Sequence, residues 1–255
     1  MSGEYAADLY AALHTGTEGD EDFYRAVCAG ADRVLELGCG SGRLLAVLAE
    51  QVPELHGVDS SEAALGLARE SLPASVELHR GDMETFEVGG DFDRVLIPFN
   101  GIYCLPDLDS VRRMFVQVEK ALAPGGLLVF DGYAGDTIYE DESLDEGFDE
   151  EDEIAKLDAR GKRWRVFERS EYKRSAQRFT VHYRYVAEDG EEIRAAIRHR
   201  YLRLQEALEA LQSAGLQLLV AHGDFDQRVY DDDSERMIIT ACKEAGPLPG
   251  GLSPS

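Results

Sequence analysis

The stretch Val34–Leu44 (VLELGCGSGRL) constrains this chain more than any other. Val34, Leu35 and Leu37 make the short apolar run of a strand buried on both faces. Gly38, Gly40 and Gly42 follow at every second position, and Leu44, Leu45, Val47 and Leu48 then recur at helical spacing. Strand, glycine turn and helix in that order open an α/β unit. Glycine admits positive φ and removes the Cβ that would keep a ligand away from the turn. The helix start adds unpaired N–H groups facing the same place. A dinucleotide fold calls for Gly-x-Gly-x-x-Gly after the strand, and the spacing here is different.

A chain of 255 residues suits one domain, or one domain with an insertion. No run approaches the roughly 18 apolar residues of a membrane span. The start, Met1–Tyr5, lacks a basic segment followed by an apolar one, so no secretory signal is expected. Cys28, Cys39, Cys104 and Cys242 are scattered without a Cys-x-x-Cys pair, which fits reduced thiols and a cytoplasmic location. A net charge of −24 argues against a nucleic-acid surface, because duplex binding is driven by cationic contacts to phosphate. The acidic, Lys-poor composition suits a high-salt cytoplasm and equally a GC-rich genome.

Along the chain, helices are expected at 4–13 and 21–29, the second behind Asp20 as N-cap. Strands follow at 33–37, 54–58, 76–80, 92–97 and 127–131, with helices at 61–70 and 109–122 between them. Ala123-Pro124-Gly125-Gly126 stops the last helix. Asp59 follows the second strand about 20 residues beyond Gly38, where a carboxylate can accept both ribose hydroxyls of a nucleoside. Helix 204–214 and strands 216–221 and 235–242 close the pattern, and the Pro/Gly/Ser tail 244–255 is expected to be disordered.

Glu36-x-Gly38-x-Gly40-x-Gly42 resembles motif I of the class I S-adenosylmethionine (SAM)-dependent methyltransferases. SAM has no pyrophosphate, and its cationic sulfonium and amino acid portion suit an acidic strand end. Gly81-Asp82-Met83 after the third strand is similar to the adenine-contacting segment of these enzymes. Pro98-Phe99-Asn100-Gly101-Ile102-Tyr103 resembles the loop after strand four of small-molecule N- and O-methyltransferases. It is not the Asn-Pro-Pro-Tyr type that stacks a flipped base. The resemblance covers 30–131 and 204–243. It implies a Rossmann-like sheet of seven strands, six parallel and one antiparallel, with SAM as donor and S-adenosylhomocysteine as product. It assigns cofactor contacts to Glu36, Gly38, Gly40, Asp59, Ser60, Asp82, Met83 and Pro98. Tyr10 is the candidate for an N-terminal helical lid over 1–29, with His14 second; plain packing is the alternative for both. Asn100, Tyr103 and Tyr133 are candidates for the acceptor side, Asn100 otherwise bonding backbone in its turn. Tyr103, Tyr133, His182 and His14 are candidate bases. Asp131, Asp136 and the scattered histidines read as caps and surface groups, so no metal is expected.

Between 132 and 203 the pattern changes. The acidic run 140–153 reads as a solvated loop or frayed helix. Three β-rich runs follow at 163–173, 178–187 and 192–203, the last two joined by Glu188-Asp189-Gly190. Phe179, Val181, Tyr183 and Tyr185 alternate with Arg178, Thr180, His182 and Arg184, as a half-buried strand should. The expectation is an inserted antiparallel sheet that serves substrate or an interface. Its arginines, Arg184 among them, either receive an anionic group on the acceptor or pair with the acidic run or a second copy in a homodimer. The function these residues imply is methyl transfer to N or O of a small molecule, without nucleic acid or membrane. An RNA- or protein-modifying methyltransferase and a non-catalytic SAM-binding protein are the alternatives.

Overall fold

The computed structural model describes residues 6–142, 144 and 147–243. Helices α1 (Ala7–Leu13) and α2 (Asp20–Val27) lead into β1 (Arg33–Leu37), α3 (Arg43–Leu48), β2 (Glu54–Asp59), α4 (Glu62–Ser71) and β3 (Glu77–Arg80). Then come β4 (Phe92–Ile97), α5 (Leu108–Ala121), β5 (Leu122–Tyr133) and the short α6 (Gly135–Glu140). Strands β6 (Gly147–Phe148), β7 (Asp152–Ala159), β8 (Lys162–Lys173), β9 (Arg178–Ala187) and β10 (Glu192–Arg200) follow. The chain closes with α7 (Leu204–Ser213), β11 (Leu216–His222) and β12 (Arg236–Lys243). The expected tail 244–255 and Tyr5 lie outside the described residues.

The main sheet has the order β11-β12-β5-β4-β1-β2-β3, and β12 alone runs against its neighbours. The chain moves outward from β1 to β3 and then returns to the other side of β1 as β4. That reversal opens a crevice beyond the carboxyl ends of β1 and β4, the usual ligand position in such sheets. Expected boundaries hold to within a residue or two for β1, β2, β4, α4 and α5. Ser61 caps α4, its Oγ accepting from the Ala64 N–H at 3.2 Å, a bond worth about 1 kcal/mol. Helix α5 buries Val111, Met114, Phe115 and Val118, three and four residues apart as its periodicity requires. Pro124-Gly125-Gly126 bulges out of β5, whose register with β4 slips between Phe92 and Arg94.

The second sheet has the order β10-β9-β8, with β6 and β7 sharing the remaining edge of β8. Phe179, Val181, Tyr183, Tyr185 and Ala187 are buried on alternate positions of β9, together with Trp164 and Val166 of β8. They join the same apolar core as Leu35, Leu37, Ile97, Phe115 and Phe130 of the main unit. Two expectations change here. Asp152 and Glu153 do not sit in a solvated loop: they open an edge strand, pairing with Glu168 and Phe167. Among the described residues, the segment expected to form an N-terminal lid divides into two parts with different partners. Tyr24 is fully buried in α2 among Phe23, Leu44 and Phe225, whereas α1 faces the second sheet and is tied to it by a bidentate pair of Arg160 with Asp8 at 2.6 and 2.7 Å.

Candidate active site

Gly38, Gly40 and Gly42 all take positive φ. The Gly38 and Cys39 N–H groups donate to the Val58 carbonyl at 2.8 and 3.1 Å, which locks the end of β1 to the end of β2. Asp59 completes the lock: its Oδ2 accepts from the Gly40 N–H at 2.8 Å and its Oδ1 from the Ser61 N–H at 2.7 Å. A carboxylate oxygen accepts more than one bond, so Asp59 keeps capacity for a ligand. A Cβ built on Gly40 meets no atom within 4 Å; the turn borders open space there, the candidate cofactor groove. The Met83 methyl lies 3.2 Å from the Cβ position of Gly38, so the β3 loop arrives beside the turn. Asp82 is exposed and caps its own turn, accepting from the Glu84 N–H at 2.8 Å. Ser60 is exposed beside Asp59, and Pro98 is buried at the end of β4.

Glu36 is 3% exposed, and its Oε2 is buried without a partner. Burial pushes its carboxyl up to about 8, the Asp59 charge adding to the rise and Arg43 opposing it. An unpaired buried carboxylate is costly. A cationic group arriving in the groove removes that cost, so the residues present fit a ligand with an ammonium and a ribose. Arg43 closes one wall, bonded to Asp20 at 2.6 Å and standing 5.8 Å from the centre of the Phe99 ring.

The loop after β4 is strained. Phe99 and Asn100 both have positive φ, 54° and 60°, and such residues cluster where function over-determines the backbone. Asp131 and Asn100 hold them. Asp131 Oδ1 accepts from the Phe99 N–H at 3.0 Å and the Tyr24 hydroxyl at 2.6 Å, while burial raises its carboxyl. Asn100 Oδ1 accepts from the Tyr133 N–H at 3.0 Å. Asn100 thus bonds backbone, though on β5 rather than within its own turn. Tyr103 is fully buried and donates to the Tyr133 carbonyl at 2.6 Å. It clamps the loop to β5 and does not present a phenol to a substrate, which removes it as a base.

His182 and Arg184 do share a strand face, but it is the outer one, opposite Tyr183 and Tyr185. His182 lies 3.6 Å from Glu171. Arg184 pairs with Glu151 and lies 4.1 Å over the Phe167 ring. Arg165 pairs with Glu153 and Arg194 with Glu192. These arginines neutralise nearby acids, including two of the run 140–153. Arg184→Ala is therefore expected to leave acceptor kinetics unchanged and to cost about 0–1 kcal/mol of stability. Steady-state kinetics and a denaturation curve on the variant check this; a raised KM would return Arg184 to the site.

The inner face carries groups that periodicity alone did not single out. Glu168 of β8 is half-buried, accepts from the Tyr183 hydroxyl, and is raised by burial. His14 packs tilted against Tyr10 with ring centres 4.2 Å apart and meets Phe99 and Tyr183 edge-on. Its Nε2 and the Nδ1 of His199 are buried without partners, and burial brings both imidazoles down to about 4. Tyr133 packs on Phe179 at 5.9 Å. The Tyr10 phenol is raised chiefly by burial beside the His14 ring. The exposed Cys104 thiol is pushed up to about 11 by its surroundings and by Asp59. The alternation of β9 was a legible signal for this face; the depth of Glu168 and His199 depends on how the sheet docks.

Comparison with known proteins agrees with this geometry. Residues 34–126 match a methyltransferase domain family. The solved CcbJ methyltransferase of Streptomyces caelestis is 27% identical and superposes with a TM-score of 0.80 over 95% of this chain and 98% of that one. The dTDP-3-amino-3,4,6-trideoxy-alpha-D-glucopyranose N,N-dimethyltransferase of Streptomyces venezuelae is 28% identical over 131 residues, 48% of this chain and 55% of that protein. The fold is also that of SAM-bound CalS10, an amino pentose methyltransferase from Micromonospora echinaspora, with a TM-score of 0.71 at 24% identity over 92% and 96% of the two chains. On fold, motif and matched domain together, the chain is a SAM-dependent methyltransferase with the class I fold.

Proposed function

We propose that this enzyme methylates an amine nitrogen of a small molecule, an amino sugar being the acceptor class. The supporting observation is the His14 ring, which lies 4.2 Å from that of Tyr10 in α1, 5.7 Å from that of Phe99 in the loop after β4 and 5.4 Å from that of Tyr183 in β9. The acceptor then lies between α1, the Phe99–Asn100 loop and the β8–β9 face. The names of the amino-sugar relatives supply the nitrogen. Among the described residues, no helix is long and apolar enough to cross a membrane.

Bound in the groove, SAM would supply an electrophilic methyl carbon, its sulfonium sulfur leaving as the thioether of S-adenosylhomocysteine. Transfer needs an unprotonated amine in line with that methyl, in a site that positions it and sheds its water. Glu168 is the carboxylate on the acceptor side; it attracts the ammonium form and takes its proton. Burial raises its carboxyl, which makes it a better base than an exposed glutamate. His14 stays neutral at physiological pH, so its buried nitrogen accepts a hydrogen bond without repelling the cation. With SAM and amino-sugar acceptors, mass spectrometry should record a product heavier by one methyl. Glu168→Gln should lower kcat about 10²-fold, with S-adenosylhomocysteine affinity unchanged. Transfer to hydroxyl acceptors alone, or full activity of the variant, would overturn the reading.

Glu36 yields a second expectation. At pH 7 its carboxyl, raised to about 8, is mostly protonated in the free protein. An ammonium bound beside it favours the ionised form, so binding lowers that pKa and releases a proton. The sign requires affinity to rise with pH up to about 8. Calorimetry of S-adenosylhomocysteine in buffers of different ionisation enthalpy should report proton release in the native enzyme and none in Glu36→Gln.

A further inference from the structure

We propose that His56, Glu77 and His79 form a divalent transition-metal site, zinc by its ligand chemistry, bracing the edge strand β3 against β2. They come from two neighbouring strands, His56 from β2 and Glu77 and His79 from β3. Among the described residues they are the one group of three or more His, Cys, Asp or Glu whose ligand atoms all lie within 4.8 Å of one another. In the parallel register His56 faces Glu77 and Val58 faces His79, so all three side chains leave the same face of the sheet.

The distances fit a metal. His56 Nδ1 is 3.2 Å from His79 Nε2 and 3.7 Å from Glu77 Oε2, and the last two atoms are 3.9 Å apart. The point equidistant from three atoms so separated lies about 2.1 Å from each, the bond length zinc makes to imidazole nitrogen and carboxylate oxygen. The tautomer fits as well. The second ring nitrogen of His56, Nε2, lies 3.1 Å from Glu54 Oε1, and Arg33 holds that carboxylate at 2.7 Å. When the Nε2 proton is donated to Glu54, the Nδ1 lone pair is left facing His79 and Glu77, the carboxylate-backed arrangement typical of metal-ligating histidines. Phe92 packs edge-on against His56 at 5.1 Å and fixes the ring. Glu77 is 62% exposed on the outermost strand, leaving an entry path and room for water as a fourth ligand. Two imidazoles and one carboxylate select zinc, nickel or copper over calcium or magnesium. Three residues beyond His56 stands Asp59, and Met83 follows His79 by four, so the brace sits beneath two groove residues.

The test uses the full chain stripped with a chelator and titrated with Zn²⁺ and with Co²⁺. Calorimetry should report one Zn²⁺ per chain, and a hundredfold excess over Kd should raise Tm by about 5 °C. The Co²⁺ complex should show a low-coordinate visible spectrum with no thiolate charge-transfer band, which excludes Cys104. His79→Ala and Glu77→Gln, both at partly or largely exposed positions, should keep the metal-free denaturation curve and lose at least about tenfold in affinity, with the Tm rise gone. No binding by the native chain, a thiolate band, or native affinity in both variants would overturn the site and leave the two rings as a hydrogen-bonded pair.

Discussion

Replacing Gly40 by valine is expected to abolish binding of S-adenosylhomocysteine. Gly40 has a φ of +56° and its Cβ direction points into unoccupied space bordering the groove. Two effects therefore add. A β-branched residue in the left-handed region is strained by about 1–2 kcal/mol, which loosens the N–H bond to Asp59. The two valine methyls then occupy volume that a ligand crossing the turn requires. Together they should reduce affinity by more than about 10²-fold, equivalent to nearly 3 kcal/mol. Calorimetry reads the loss, and circular dichroism separates it from unfolding; an added Cβ meets no atom within 4 Å. Gly40→Ala, with one methyl, should fall between the two. Native-like affinity in Gly40→Val would mean that the cofactor does not pass over this turn, and the assignment of the groove would fail.

A comparably large effect is expected at Gly135, for stability. A Cβ there would lie 1.9 Å from the Leu202 carbonyl oxygen and 2.7 Å from its carbon. Both are backbone atoms, so no side chain can swing aside. Gly135 begins α6, where the chain leaves the main sheet, and Leu202 precedes α7, where it returns. Gly135→Ala must push these crossing points apart and unseat the second sheet from the shared core. A loss of about 3 kcal/mol or more is expected, a fall of roughly 6–12 °C in Tm. Gly66 in α4 is the control, because its added Cβ meets nothing within 4 Å; Gly66→Ala should be neutral or stabilising by up to about 1 kcal/mol. Equal thermal curves for the two variants would show that the close crossing at Leu202 is not needed.

Several features of this protein were determined by local sequence alone. The β1–glycine–α3 unit, Asp59 at the end of β2 and Ser61 as a cap depend on neighbours a few residues away, so spacing and residue type suffice to specify them. The same holds for the alternation of β9, which predicts a buried face without saying what covers it. The tertiary structure decided what that face meets. It turned Tyr183 inward and Arg184 outward onto Phe167, and it drew Asp152 and Glu153 into an edge strand through pairing with β8. Tyr103 lost its candidacy as a base because its hydroxyl reached the Tyr133 carbonyl, an encounter across 30 positions of chain. Glu168, His199 and the trio His56, Glu77 and His79 became chemically significant only when separate strands brought them side by side. Burial of a titratable group, and with it the level of its pKa, follows from packing by distant segments, and hydrophobic periodicity carries no record of which segments those are.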